Sequence, residues 1–209
     1  MDISRAYNSW AEQYDSNINK TRDLEALCIK NILSDVQFDS CLEIGCGTGK
    51  NTEWLLTKAK EIVAIDLSES MLSIAKAKIK SDKVTFLQTD FLRSSNRLIG
   101  KFNLLVFSLI LEHVENLELA FDVAASFVAP GGHVYIGELH PYKQYSGTKA
   151  RFETSEGMNV VTCFNHHTSD FTSAAKNHGF EIVVLKEFFD DNDHDTLPRI
   201  LTILFKKTD

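Results

Sequence analysis

The stretch 40-SCLEIGCGTG-49 joins a short apolar run to three closely spaced glycines. The apolar part, Ser40–Ile44, predicts a buried β-strand, and Asn51–Lys58 after the glycines predicts a helix. Glycine permits a sharp turn between the two, and it lets a ligand approach the main chain without a Cβ in the way. Because ligands of open parallel sheets bind at the carboxyl ends of strands, this turn is a candidate binding site.

Strands and helices alternate along the rest of the chain. Further predicted strands are 61–65, 84–87, 102–107 and 133–138, and further predicted helices are 68–80, 117–127 and 168–178. Two final strands, 181–188 and 200–206, flank the acidic loop 190–195, which is short enough for an antiparallel hairpin. The pattern predicts an α/β fold with a doubly wound, mostly parallel seven-stranded sheet. Its C-terminal edge is an antiparallel hairpin with a reversed edge strand.

The 209 residues fit a single domain, 1–209, that can bury a full core. Two predicted helices, 3–16 and 23–33, form an N-terminal helical cap over residues 1–35. Residues 140–167 show no strong period, and a loop of this length in a compact domain is usually functional.

Composition and charge limit the class of partner. The formal net charge is −7, whereas a nucleic-acid partner usually requires a basic face, so a small molecule is favoured and nucleic acid is not expected. The first five residues lack the apolar run of a signal peptide, and the longest apolar stretch, 104–111, is shorter than the ~20 residues that span a bilayer. The four cysteines have neither CxxC nor zinc-ligand spacing. We expect a cytoplasmic protein with reduced thiols, no membrane contact and no metal.

Two carboxylates follow the next two predicted strands. Asp66 ends the strand 61–65, about where such folds place an acid against a ribose diol. Asp90 follows the strand 84–87, and its carboxylate is suited to accept the exocyclic amine of an adenine, with Phe91 beside the ring. Together with the glycine turn, these acids predict a ligand that contains adenosine.

A nicotinamide dinucleotide is the main alternative ligand. Its GxGxxG fingerprint requires a glycine where this chain has Lys50. The acid Glu43 also fits poorly beside a pyrophosphate, whereas it is compatible with the sulfonium and amino group of S-adenosylmethionine. The phosphate-binding GxxxxGK[ST] pattern fails because Asn51 follows Lys50. A dehydrogenase is therefore disfavoured.

Several motifs resemble those of the class I S-adenosylmethionine-dependent methyltransferases, in particular the small-molecule, type 11/12-like members. The matching segments are 42–49, 65–68 with 71–72, 90–91, 102–106 through 111–114, and the turn 129–132 before the fifth strand. The resemblance covers roughly residues 5–206 and implies a Rossmann-like methyltransferase fold. Asn103 stands where the family often has Asp, and we interpret that position as structural. The Asn/Asp-Pro-Pro-Tyr signature of DNA-amine methylation is absent after the fourth strand.

The resemblance implies S-adenosyl-L-methionine as cofactor, S-adenosyl-L-homocysteine (SAH) as product, and methyl transfer to an O, N or C nucleophile of a small molecule. The residues that it places at the cofactor are Tyr14, Glu43, Gly45, Gly47, Gly49, Asp66, Leu67, Met71, Asp90, Phe91 and Ser108. The alternative is a regulatory or partner subunit that binds the cofactor but is catalytically inactive.

Methyl transfer from a sulfonium depends mainly on alignment of the reacting atoms. A general base is needed only if the nucleophile must lose a proton. His140, at the end of the predicted fifth strand, is the first candidate for that base, and His113 is the second.

Residues 140–167 are interpreted as the acceptor pocket or its lid. Tyr142 and Tyr145 are expected to shape a pocket for the acceptor, and Arg151 to meet an anionic group. The rival interpretation is a β-hairpin for dimer contacts, which the segment 158–164 suggests. A monomer or a homodimer is expected.

Overall fold

A computed structural model describes residues 3–93, 98–154 and 157–208. The strands in these ranges are β1 (Ser40–Ile44), β2 (Glu61–Asp66), β3 (Val84–Gln88), β4 (Phe102–Ser108), β5 (Val128–Leu139), β6 (Arg151–Thr154), β7 (Gly157–Val160), β8 (Phe180–Phe188) and β9 (Ile200–Lys207). The α-helices are α1 (Ile3–Tyr14), α2 (Lys20–Ile32), α3 (Lys50–Leu55), α4 (Glu69–Lys78), α5 (Leu117–Phe127), α6 (Pro141–Tyr145) and α7 (Thr168–Asn177).

Seven strands form one sheet in the order β3-β2-β1-β4-β5-β9-β8. Strands β1 to β5 pair in parallel, β9 runs antiparallel to β5, and β8 runs antiparallel to β9. The predicted doubly wound sheet with a C-terminal edge hairpin is confirmed. The reversed strand is misplaced in the prediction, because β9 lies inside the sheet and β8 forms its edge.

Apolar helices cover both faces of the sheet, which explains why its central strands are apolar without alternation. All five residues of β1 are buried. On one face, α5 and α7 contribute Phe121 and Phe171 to a core that also contains Phe205 of β9. On the other face, α2 contributes Ile29 and Leu33. Strand order reverses between β1 and β4, so a crevice opens at their carboxyl ends.

Side-chain caps fix the starts of two helices that position the site. Asn19 accepts a hydrogen bond from the Arg22 backbone N–H, so α2 begins at Lys20, earlier than predicted. Ser68 caps α4 as predicted, through the backbone N–H of Met71.

The turn predicted at 129–132 is wrong, because these residues belong to β5. Val128 pairs with Phe102, and the register then shifts so that Leu104 pairs with His133. The extra residues form an irregularity within the strand instead of a separate loop. At the start of β4, Asn103 Oδ1 accepts hydrogen bonds from the Asp39 and Ser40 N–H groups, at 3.1 Å each, so this position is structural as interpreted.

Residues 140–167 contain more regular structure than predicted. Helix α6 follows β5 directly, and β6 and β7 form a separate two-stranded antiparallel hairpin. The hairpin of the rival interpretation therefore exists, although its strands lie slightly earlier than 158–164, and its role in dimer contacts stays a prediction. Val161, just after β7, packs against Ala6 and Trp10 of α1. The N-terminal cap and this segment thus meet on the same side of the sheet.

Candidate active site

A cavity of about 270 Å³ lies at the carboxyl ends of β1, β2, β3 and β4. The residues that line it from these strand ends include Gly45, Gly47, Asp66, Leu67, Asp90, Phe91 and Ser108, together with Met71 of α4. Helix α1 closes the cavity with Ile3, Ser4, Tyr7 and Tyr14. The fold therefore brings most of the predicted cofactor residues to one place.

The glycine turn joins β1 to α3 through left-handed backbone conformations. Gly45 has φ 75° and Gly47 has φ 53°, values that favour glycine over residues with a Cβ. Gly49, at φ 82°, does not line the cavity. A Cβ on Gly49 would lie 2.8 Å from Ile79 Cδ1, so this glycine permits close packing of the start of α3 against the end of α4, and its contact with the cofactor stays a prediction.

Asp66 links the turn after β1 to the turn after β2. Its Oδ2 accepts the Gly47 N–H and its Oδ1 accepts the Ser68 N–H, each at 2.8 Å. Burial raises the pKa of this carboxyl, whereas the backbone hydrogen bonds act in the opposite direction. A carboxylate held in this way at the cavity wall has free lone pairs for the hydroxyls of a ribose.

Asp90 and Phe91 form the wall beyond β3. The Leu92 N–H donates to Asp90 Oδ1 at 2.9 Å, and Phe91 packs on Phe107 with 5.7 Å between ring centroids. Apolar contacts from Leu67 complete a slot that suits a flat ring with one polar edge. Thr89, Leu92 and Arg93 also line the cavity but were not predicted from the sequence. Their position directly beside Asp90 and Phe91, in the segment that follows β3, could have indicated them.

Glu43 lies behind the glycine turn, outside the main cavity. It lines a smaller space of about 40 Å³ that adjoins the turn. Its Oε2 accepts a 2.6 Å hydrogen bond from the Thr52 hydroxyl, and burial raises its pKa to about 8. The structure therefore places Glu43 where it acts on the turn and on α3 instead of contacting a ligand in the main cavity.

Ser108 belongs to a buried polar chain that sequence reasoning missed. Asn51 Nδ2 donates to Ser108 Oγ at 3.0 Å and to Glu25 Oε2 at 3.1 Å. Tyr135 donates its hydroxyl hydrogen to Glu25 Oε1 at 3.0 Å. The chain ties α2 and α3 to the end of β4, so Ser108 is fixed at the cavity wall.

Helix α1 is fastened over the cavity by polar contacts with distant residues. Asn8 Oδ1 accepts the Ser68 hydroxyl at 2.7 Å and the Ser70 N–H at 3.1 Å. The Tyr7 hydroxyl lies 2.8 Å from His113 Nε2. Trp10 is buried and makes an edge contact with Tyr14 at 4.9 Å between centroids. Tyr14 lines the cavity, as the prediction requires, whereas Trp10 does not line it.

His140 lies at the end of β5, as predicted. It lines neither the main cavity nor the neighbouring cavity that contains Arg151. Its Nε2 lies 2.9 Å from Glu187 Oε1, and its Nδ1 accepts the Tyr142 N–H as the cap of α6. Burial lowers its pKa, against the opposing effect of the Glu187 carboxylate. Both ring nitrogens are engaged in the fold, which gives no support to a catalytic base at His140, and that role stays a prediction. His113, the second candidate, does line the main cavity.

A second cavity of about 330 Å³ adjoins the first. Tyr7, Tyr14 and Leu109 line both cavities. Arg151 lines the second, and its role at an acceptor stays a prediction. Tyr142 and Tyr145 are about half exposed and line neither cavity. Tyr145 bonds His167 Nδ1, and the role of the two tyrosines at an acceptor stays a prediction.

Two further predictions concern metals and membranes. The described residues contain no group of three or more His, Cys, Asp or Glu side chains that could hold a metal ion. In the acidic loop after β8, Asp190 forms an ion pair with Arg199, with 2.6 Å between Asp190 Oδ2 and Arg199 Nη2. Across the described ranges, none of the helices has the length and apolar character needed to cross a bilayer.

Comparisons with known proteins agree with this architecture. A family model for a methyltransferase domain matches residues 12–185. An uncharacterized methyltransferase of Emericella nidulans is 26% identical over 227 residues, which cover 88% of this chain and 78% of that protein. Among solved structures, DhpI in complex with SAH matches with a TM-score of 0.77 at 21% identity, covering 97% of this chain and 93% of that one. The N-methyltransferase NodS of Bradyrhizobium japonicum, in complex with SAH, matches with a TM-score of 0.70 at 18% identity, covering 98% of this chain and 100% of that one. The chain therefore belongs to the methyltransferase domain family, and the prediction of a class I, S-adenosylmethionine-dependent methyltransferase is confirmed.

Proposed function

We propose that this protein transfers a methyl group from S-adenosylmethionine to a nucleophilic O, N or C atom of a small molecule bound in the second cavity. The observation that supports this most directly is the shared wall of the two cavities, formed by Tyr7, Tyr14 and Leu109. A donor in the first cavity and an acceptor in the second would meet at this wall.

The residues of the first cavity set the direction in which the cofactor would lie. Asp66 and Asp90 suit its ribose and adenine, and the glycine turn with Ser108 suits its methionine portion. The sulfonium, which supplies an electrophilic methyl group when the cofactor is bound, would then lie near Tyr14 and Leu109. In-line transfer requires the nucleophile on the opposite side of the methyl carbon from sulfur, and that side faces the second cavity.

The wall between the cavities is rigidly built. Leu109 has φ 54°, an unusual conformation for a residue with a branched side chain. Its N–H donates to the Gly137 carbonyl at 2.8 Å. The next two N–H groups, of Ile110 and Leu111, donate to Glu138 Oε1 at 2.9 and 2.8 Å. A fixed wall holds donor and acceptor at constant separation, which is the main contribution that a methyltransferase makes to rate.

Isothermal titration calorimetry with SAH tests the cofactor half of this proposal. We expect saturable one-site binding that Asp66→Asn weakens at least about tenfold, because a hydrogen bond to a charged group contributes about 1.5–3 kcal/mol. Asp82→Asn, at an exposed carboxylate away from the cavity, is the matched control and should bind normally. Absence of SAH binding to the folded wild-type protein would refute the proposal.

Methyl transfer itself is measured as SAH formed from S-adenosylmethionine across a broad panel of small acceptors. Formation of SAH that depends on one acceptor supports the enzyme. Saturable cofactor binding without transfer to any acceptor would favour the inactive regulatory subunit instead. The small-molecule partner, the monomeric or dimeric state and the cytoplasmic location stay predictions.

A further inference from the structure

The second cavity carries a positive charge that the chain as a whole does not. The formal net charge of the protein is −7, yet the ionisable residues that line this cavity comprise five basic side chains and one acid, apart from tyrosines. They are Lys20, Arg22, Lys149, Arg151, Arg199 and Glu112. An excess of one sign in a concave site concentrates ligands of the opposite charge.

Two of the five basic side chains are engaged in holding the fold. Arg22 is buried and donates to the carbonyl oxygens of Tyr14 and Asn17. Arg199 forms a bidentate ion pair with Asp190. These arginines shape the cavity, and their hydrogen-bonding capacity is largely used.

The other three basic side chains lie at the exposed mouth of the cavity. Lys20, Lys149 and Arg151 are exposed, and within ranges 3–93, 98–154 and 157–208 no hydrogen bond or ion pair engages their charged groups. Three unengaged cations around one opening favour an anionic group on the ligand.

The inner end of the cavity has the opposite character. Glu112 is only 6% exposed. Its Oε1 lies 4.0 Å from His113 Nε2 and the weakly donating Cys163 thiol lies beside the carboxyl group, but Oε2 is buried and receives no hydrogen bond from an N–H or O–H group of the described residues. An unpaired buried carboxylate oxygen is costly, and a donor on a bound molecule would relieve that cost. Burial raises the pKa of Glu112, which strengthens it as a proton acceptor.

Tyr7 lies beside Glu112 in the lining of this cavity and can accept a second hydrogen bond. His113 Nδ1 lies 2.8 Å from the Thr162 carbonyl oxygen, so in the neutral ring it carries the hydrogen. His113 Nε2 then accepts the Tyr7 hydroxyl hydrogen at 2.8 Å. The lone pairs of the Tyr7 oxygen are thereby left to face a donor on the ligand.

We propose that the acceptor is a small organic acid, with its anionic group at Lys149 and Arg151 and its nucleophilic hydroxyl or amine at Glu112 and Tyr7. This inference rests on the proposed function and narrows it to a substrate class. A cavity of about 330 Å³ is at the lower end of the range for small-molecule sites, which favours a compact ligand. Tyr7, Trp10 and Tyr14 in its lining favour an aromatic ring between the two polar ends.

The transfer step balances with these groups. A lone pair of the acceptor oxygen or nitrogen forms the bond to the methyl carbon while the carbon–sulfur bond breaks, and the electron pair of that bond stays on sulfur. The product SAH is neutral at sulfur. The proton that the nucleophile loses passes to the Glu112 carboxylate, which is regenerated by release to solvent when the product leaves.

The test is calorimetric titration of the protein saturated with SAH. The probes are 4-hydroxybenzoate, 4-hydroxyphenyl phosphate and the neutral analogue 4-hydroxybenzamide. We expect 4-hydroxybenzoate or 4-hydroxyphenyl phosphate to bind at least about tenfold more tightly than 4-hydroxybenzamide. Added salt should weaken the binding of the anions and leave the binding of the amide unchanged. Equal affinities for acids and amide, or no binding of any probe to a protein that does bind SAH, would overturn the inference. Loss of SAH binding itself would instead refute the proposed function.

Two variants assign the two ends of the cavity. The double variant Lys149→Gln/Arg151→Gln should weaken acid binding about fivefold and leave the amide unchanged, whereas the exposed control Lys80→Gln should change neither. In the wild type, 4-hydroxybenzoate should bind several-fold more tightly than benzoate, and this ratio of affinities measures the contribution of the hydroxyl group alone. Glu112→Leu should abolish the difference in affinity. An unchanged ratio in that variant, with the fold intact by thermal unfolding, would contradict the placement of the nucleophile.

Discussion

Alanine substitution should affect stability at Gly49 and cofactor affinity at Gly47, although both glycines belong to one turn. A Cβ at Gly49 would lie 2.8 Å from Ile79 Cδ1 and 3.3 Å from Ala75 Cβ, in a backbone with φ 82°. Left-handed strain costs about 1–2 kcal/mol, and overpacking adds about 1–3 kcal/mol. Reduced entropy of the unfolded chain offsets about 0.4–1 kcal/mol. Gly49→Ala should therefore lower the free energy of unfolding by about 2–3 kcal/mol.

Gly47 presents the opposite situation. A Cβ there meets no atom of the described residues within 4 Å, in a backbone with φ 53°, and Gly47 lines the cofactor cavity. Gly47→Ala should cost only about 0–1.6 kcal/mol of stability, because strain of about 1–2 kcal/mol is offset by about 0.4–1 kcal/mol in the unfolded chain. Its methyl group would occupy ligand space, so SAH affinity should fall at least about tenfold.

Urea unfolding and SAH calorimetry on the same two variants measure both effects. For a chain of 209 residues, each kcal/mol corresponds to about 2–4 °C in Tm, so Gly49→Ala should melt roughly 5–10 °C below wild type while the folded fraction binds SAH within about threefold. The reasoning is refuted if Gly49→Ala loses affinity at unchanged stability, or if Gly47→Ala keeps wild-type affinity.

Four further substitutions test other contacts, and one of them, Asn116→Ala, is a control. Ser68 caps α4, and the side chain of Asn116 caps α5 through the Leu119 N–H, so Ser68→Ala and Asn116→Ala each remove a cap worth about 1 kcal/mol. Only Ser68 also bonds Asn8 of α1, so by calorimetry only Ser68→Ala should weaken SAH binding. His140→Gln should lower Tm and leave the initial rate of methyl transfer within about threefold of wild type, since both ring nitrogens serve the fold; a loss of a hundredfold would support it as a base. Burial raises the pKa of Glu138 to about 8, so the folded protein holds this proton more tightly than the unfolded chain. Stability should then fall as pH rises from about 5 through about 8, and Glu138→Gln should flatten that dependence in urea unfolding near pH 6 and near pH 9; equal slopes would contradict this.

The sheet and the cofactor cavity were predictable because their signals are local. The glycine turn, Asp66 and Asp90 each follow a strand that the apolar pattern predicts, and parallel strands bring their carboxyl ends together. Asp66 and Asp90 could therefore be placed without knowing any long-range contact. The packing constraint on Gly49 was not predictable, because it comes from Ile79 at the end of α4, which the spacing of the turn does not indicate.

The contacts of His140 could not be predicted from the sequence for a related reason. A histidine at the end of a strand is in the right region, but its availability depends on which side chains reach it. Glu187, on β8, contacts His140 across 47 positions of the chain, and no local pattern predicts that contact. The Tyr7–His113 contact, across 106 positions, was equally inaccessible.

The two cavities also differ in how far the sequence alone could predict them. The second is assembled from the N-terminal helices, the loop after β4, the segment around β6 and the start of β9, so its character appears only when distant segments meet. Substitutions at Tyr7, Tyr14 or Leu109 alter both cavities at once and cannot distinguish loss of donor from loss of acceptor. Asp66 and Arg151 each line only one of the two cavities. Kinetic effects at these two positions should therefore separate, with Asp66 acting on the KM for S-adenosylmethionine and Arg151 on the KM for the acceptor.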